Sequence, residues 1–239
     1  MRAIVLDIEG TTTPVAFVRD TLVPYARREL RPYLDSEEEP RIRSMAADFH
    51  REHARNAPDS VDVPESRDTT AAEQRDAIVG YVTWLMDRDR KSTALKALQG
   101  RIWEKGYTSG QLVAPVYDDV PVALQRWREQ GLGTGIFSSG SVLAQQLLFR
   151  HSSAGDLTPF LQWHFDTTVG AKTEAGSYRR IGSAVGMPPS EIVFISDVVS
   201  ELNAAREAGW QTILCHRPGE PAPEEQDTHP VIRSFDEFR

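Results

Sequence analysis

A short apolar run, Ala3 to Leu6, leads straight into Asp7, and the next run of the same kind does not begin until Gly133. From there the runs come at ordinary intervals: Gly133 to Phe137, Trp163 to Phe165, Ile192 to Ile195 and Thr212 to Cys215. Between the later runs lie amphipathic stretches of helical length, Val120 to Glu129, Val142 to Arg150, Ser177 to Val185 and Ser200 to Ala208. Gly131, Gly186 and Gly209 follow the first, third and fourth of these, and glycine there ends a helix by taking a left-handed conformation. Strands alternating with helices predict an α/β fold built on a mainly parallel sheet. A crossover in such a sheet needs only a dozen or so residues, so the long interval after the first run must hold an insertion.

That interval, from Val15 to about Ala114, reads as helical, with Phe17, Leu22, Tyr25, Leu30, Ile78, Tyr81, Val82 and Leu85 supplying an apolar face. A helical cap is expected there. Asn56 to Thr70 is rich in Pro, Asp and Ser and reads as a polar surface loop, and Pro218 to His229 as a surface tail. His50 and His53 stand three apart on an expected helix with no evident third metal ligand, so they are read as ordinary surface histidines. Trp84 and Trp103 are read as core aromatics.

Composition bounds the function. With 40% hydrophobic and 26% charged residues the chain is an ordinary globular one. No apolar run reaches the length of a bilayer span, and the acidic residues Asp7 and Glu9 fall where a secretory signal needs its apolar centre. The single Cys215 fits a reducing compartment, so a cytoplasmic location is expected. A net charge of −8 and the absence of any long Lys/Arg block argue against a nucleic-acid partner. An anionic substrate would need a local positive site, and a monomer is expected.

Asp7-Ile8-Glu9-Gly10-Thr11-Thr12 lies at the carboxyl end of the first run, where open parallel sheets place their ligands. Side chains two apart in an extended segment share a side, so Asp7 and Glu9 can converge and divide the work of nucleophile or metal ligand and proton donor. Phe137-Ser138-Ser139-Gly140-Ser141 ends the second run and opens a helix, which suits a phosphate, although one of the serines can simply cap that helix. Gly131, Gly133 and Gly135 imitate a dinucleotide loop but precede the strand that such a loop should follow. Lys172, in Gly170-Ala171-Lys172-Thr173-Glu174, can return a positive charge to the same edge and neutralise a phosphoryl group and crowded carboxylates. Asp197 ends a fully apolar run, Glu201 follows one helical turn later, and hard oxygen ligands of this kind suit magnesium.

The segments DIEGTTTPVAFV, SSGSVLAQQLLF, GDLTPFLQWHFDTTVGAKTEAGSYRRI and VFISDVVSELNAAREAG resemble the haloacid dehalogenase-like superfamily and, within it, the enolase-phosphatase (acireductone synthase) family of methionine salvage. The resemblance covers most of the core and weakens from Arg41 to Thr70. It implies a Rossmann-like core, 1–14 and 115–239, with an inserted helical cap, 15–114. It also implies conversion of 2,3-diketo-5-methylthiopentyl-1-phosphate to the acireductone and phosphate through enolisation and dephosphorylation. Asp7 would be the nucleophile and Glu9 the acid and later base. Ser138 and Ser139 would bind phosphate, and Lys172 would pair with it and with Asp7. One Mg2+ per chain would be held by Asp7, Asp197 and the backbone oxygen of Glu9, with Glu201 supporting those ligands. The base for enolisation stays open between Glu9 and a carboxylate of the cap. Two alternatives remain at this stage: another capped magnesium-dependent phosphatase of the sugar-phosphate type, and a metal-independent haloacid dehalogenase.

Overall fold

The computed structural model describes residues 1–56, 70–88, 90, 92–222 and 229–238, with the side chains of 54–56 left aside. The polar loop expected between Asn56 and Thr70 falls on 57–69, and part of the expected tail on 223–228, outside the described residues. Contacts between Cα atoms divide the chain into one unit of Met1–Asp20 with Tyr107–Arg239 and a second of Thr21–Gly106.

The first unit carries a parallel sheet of six strands: β1 (Ala3–Leu6), β2 (Gly133–Phe137), β3 (Trp163–Phe165), β4 (Ile192–Ser196), β5 (Gln211–Cys215) and β6 (Val231–Ile232), in the order β3-β2-β1-β4-β5-β6. β1 is central, with Ala3 to Leu6 in register with Gly133 to Ile136 on one side and Ile192 to Ile195 on the other. Every residue of β1, β2 and β4 is buried. Strands covered on both faces carry no polar alternation, which is why they are legible as continuous apolar runs.

The helices in chain order are α1 (Val15–Phe17), α2 (Val23–Asp35), α3 (Glu39–Asn56), α4 (Ala71–Asp87), α5 (Thr93–Thr108), α6 (Asp119–Glu129), α7 (Val142–Arg150), α8 (Ala175–Val185) and α9 (Val199–Glu207). In the helical unit α4 packs on α2 and α3, burying Tyr25, Leu30, Ile78, Tyr81, Val82 and Leu85. α4 starts in a capping box: the Thr70 hydroxyl accepts from the Glu73 N–H, and the Glu73 carboxylate accepts from the Thr70 N–H at 2.7 Å. Glu52 of α3 does the same service for α5, accepting from the N–H groups of Thr93 and Ala94, both at 2.8 Å. His53 Nδ1 lies 3.1 Å from the Tyr81 hydroxyl, a packing role. Trp84 stacks on Tyr81 and Trp103 donates to the Leu22 carbonyl, both half-buried.

Gly133 and Gly135 lie inside β2, not in a ligand loop. A Cβ on Gly133 would overlap the indole of Trp163, and one on Gly135 would come within 3.0 to 3.2 Å of the same residue. The alternating glycines thus clear a track on which the Trp163 side chain of β3 lies. On the sheet, Tyr178 of α8 packs edge-on against Phe137, Phe194 and Trp210, with ring centres 5.3 to 5.5 Å away. No described helix is long and apolar enough to cross a membrane.

Candidate active site

β1 delivers Asp7 to the carboxyl edge of the sheet, where its N–H extends the ladder to the Ile195 carbonyl at 2.9 Å. The chain then turns at once. The Ile8 carbonyl accepts from the N–H groups of Thr11, Thr12 and Thr13, and Gly10 N–H donates back to the Thr13 carbonyl at 2.8 Å. This curl requires φ of +69° at Gly10, where a Cβ would also collide with the Asp197 carboxylate. Asp7 is buried, and its Oδ1 accepts from the Ile8 N–H at 2.8 Å. Burial first and the Asp7 charge second raise the Glu9 carboxyl above its ordinary value, with Lys172 pulling it down. A carboxyl so raised suits a proton donor.

Lys172 approaches from the loop before α8. The Ser177 hydroxyl donates to the Ala171 carbonyl at 2.7 Å and the Tyr178 hydroxyl to the Lys172 carbonyl at 2.8 Å, which fixes the backbone on either side of the lysine stem. Its Nζ lies 2.7 Å from Asp7 Oδ1 and 2.6 Å from Glu201 Oε2. Burial by itself would pull this ammonium down, yet the two carboxylates hold it above the ordinary lysine value. Burial, and after it the charge of Asp7, pushes Glu201 up, against the opposing pull of Lys172. The Ser196 hydroxyl completes a ring: it is 3.2 Å from Asp7 Oδ2 and 3.1 Å from Glu201 Oε2, and it accepts from the Val198 N–H. Having one hydrogen, it serves the two carboxylates by turns or by sharing.

Asp197, just beyond β4, is pushed up to about 7, by burial first and then by the charge of Asp7. Its Oδ1 is buried without a protein partner. A buried, partnerless carboxylate oxygen beside a second carboxylate is a donor set for a hard cation. Among the described residues no three or more His, Cys, Asp or Glu side chains gather into a cage, and magnesium is held by as few as one or two carboxylates with water and substrate oxygens. Asp7 and Asp197 fit that ion.

On β2's edge Ser138 is buried, its hydroxyl accepting from the Gly140 N–H at 3.1 Å, while Ser139 is exposed. Ser141 is the serine that caps α7, accepting from the Ala144 N–H at 3.3 Å. The Asp166 carboxylate takes the Val142 N–H at 3.2 Å, so part of the helix start expected to face a phosphate is already occupied. Gln145 ties this corner together through its amide N–H, which donates to the carbonyls of Gly140 and Phe165 at 2.9 and 2.8 Å.

Ser196 and Gln145 were not singled out in the sequence. Ser196 offered one signal, a hydroxyl closing an otherwise apolar strand directly before Asp197; Gln145 offered none.

A family model for haloacid dehalogenase-like hydrolases matches residues 1–209. The chain is 47% identical to enolase-phosphatase E1 of Synechococcus elongatus, covering 98% of this chain and 96% of that protein. It is 46% identical to enolase-phosphatase E1 of Sorangium cellulosum, covering 99% and 97%. The UTR4 protein of Saccharomyces cerevisiae superposes with a TM-score of 0.78 at 32% identity, covering 98% of each chain. CbbY of Rhodobacter sphaeroides, at 16% identity and a TM-score of 0.58 over 100% and 96%, shares the fold.

Proposed function

This chain belongs to the haloacid dehalogenase-like hydrolases and, among them, to the enolase-phosphatases, and from that premise we propose that Asp7 is the nucleophile with which it converts 2,3-diketo-5-methylthiopentyl-1-phosphate to acireductone and phosphate. The observation that carries this reading is the buried contact of Asp7 Oδ1 with Lys172 Nζ at 2.7 Å. It aims the carboxylate while offering positive charge to an arriving phosphate. Relatives named for this reaction support it over a sugar-phosphate phosphatase or a metal-independent dehalogenase.

In the proposed sequence the substrate is first enolised, a proton leaving the carbon beside its carbonyl and passing through a base to the carbonyl oxygen. The Asp7 carboxylate then attacks phosphorus, the bond from phosphorus to the substrate oxygen breaks, and Glu9 gives its proton to that oxygen. Glu9, now a carboxylate, takes a proton from water as the water attacks the aspartyl phosphate. The bond between phosphorus and Asp7 then breaks, releasing phosphate and the free carboxylate. Ser138 and Ser139 would hold the phosphoryl oxygens. Magnesium, held by Asp7, Asp197 and the Glu9 carbonyl, would supply charge that offsets the repulsion between nucleophile and phosphate. Glu201 would keep Lys172 charged and in place. The lone buried Cys215 supports a cytoplasmic setting, and a monomer acting on a small phosphorylated substrate is part of the same proposal.

Asp7→Asn removes the nucleophile with almost no change of volume. Phosphate release from the diketo phosphate should fall to background while the circular dichroism spectrum stays that of the parent. Turnover retained in this variant would refute the covalent route.

A further inference from the structure

Arg217 is 2% exposed and lies between the rings of Tyr117 and Phe235, its guanidinium carbon 4.4 Å from each ring centre. Its Nε donates to the Thr11 carbonyl at 2.8 Å, and its Nη1 to Asp119 Oδ2 at 2.6 Å. Asp119 is fixed in turn, accepting from the Ser234 hydroxyl and the Phe235 N–H. The next carbonyl of the curl, Thr12, accepts from the Tyr117 N–H at 3.1 Å. Two successive carbonyls of the segment that carries Asp7 and Glu9 are therefore held from behind.

Stability alone does not account for such a group. Burying an ion pair is costly, and an apolar replacement of similar volume is often neutral or stabilising. Arg217 Nη2 even lacks a protein acceptor. What no apolar side chain could supply is a directed N–H to Thr11, aimed by the Asp119 contact and the two flanking rings.

We propose that Arg217, oriented by Asp119, is a positioning residue that sets the curl of residues 8–13 and thereby the placement of Asp7 and Glu9. It touches neither carboxylate and acts only through the backbone. This rests on the reading of Asp7 and Glu9 given above.

The test uses the full chain with Arg217→Met and Arg217→Lys. Amide exchange followed by mass spectrometry should speed up about tenfold or more in peptides spanning residues 8–13, while β4 and β5 keep their protection. With magnesium and the diketo phosphate, kcat should drop on the order of 10- to 100-fold, the usual cost of a misplaced reacting group, with KM within about threefold and partial recovery in Arg217→Lys. Unchanged exchange in 8–13, or exchange rising equally across the sheet, overturns the proposal, since Arg217 would then be idle or a support of the whole unit. If Arg217→Met does not fold, Arg217→Lys keeps the charge and decides by the same two readouts. If the parent enzyme releases no phosphate while loop exchange responds as expected, the assigned activity fails and the brace stands.

Discussion

Replacing Lys172 by methionine would leave Asp7 and Glu201 buried with no counter-charge. Breaking a buried pair by removing one partner costs about 3–5 kcal/mol, so Lys172→Met should lose that order of stability near pH 8 as well as its activity. The loss should shrink toward pH 5. Glu201 is already raised by burial and by Asp7, and without the ammonium it rises further. An acid whose folded pKa exceeds its unfolded one stabilises the fold below the unfolded value and loses that contribution as pH climbs through the folded value. Urea midpoints of parent and variant at both pH values check this, and equal losses at pH 5 and pH 8 would count against the charge argument. Glu9 would put a raised carboxyl to the opposite use, since a proton held there is the one proposed for the leaving oxygen.

At the scale of elements, the track cut by Gly133 and Gly135 in β2 is matched to one residue of β3. Gly133→Ala should cost about 1–3 kcal/mol through overpacking against Trp163. Trp163→Leu should lower that penalty when the two are combined, a coupling that a double-mutant cycle in urea measures; additive losses would mean the indole is not what the glycine accommodates. The same strands show what the sequence made legible. β1, β2 and β4 are readable because each is a continuous buried run, β5 because four of its five residues are buried, β3 less so because it is short and only half-buried, and α7 because its apolar period and bounding residues agree. β6, at Val231–Ile232, is too short to show any period and exists only by pairing with Leu214 and Cys215. Asp7, Lys172 and Asp197 were readable as polar residues at strand ends or in the loop after one, but their roles came from the family resemblance. Ser196 was not readable, since its meaning depends on Asp7, 189 positions away. Arg217 likewise acquires its place from Thr11, 206 positions distant.

For the whole molecule, the crowding of Asp7, Glu9 and Asp197 would tie stability to the proposed cation. Asp197 stands at about 7 against an ordinary 3.8, so without metal the fold should lose stability as pH rises from about 4 through 7, by the same sign rule as above. Magnesium should therefore raise Tm more at pH 8 than at pH 5.5, because at the lower pH it competes with a proton on Asp197. EDTA should abolish phosphate release and added magnesium restore it. A thermal shift equal at both pH values would remove Asp197 from the ligand set. The strand order has a consequence during synthesis. β1 is flanked by β2 and β4, whose residues leave the ribosome long after it. At roughly 5–20 residues per second, the stretch from Leu6 to Ile192 takes on the order of 10–40 s. Through that time this wholly apolar strand waits with at least one edge open, and with both open until Gly133 to Phe137 emerge, which marks the nascent β1 segment, rather than any surface of the finished fold, as the place where a chaperone would be needed.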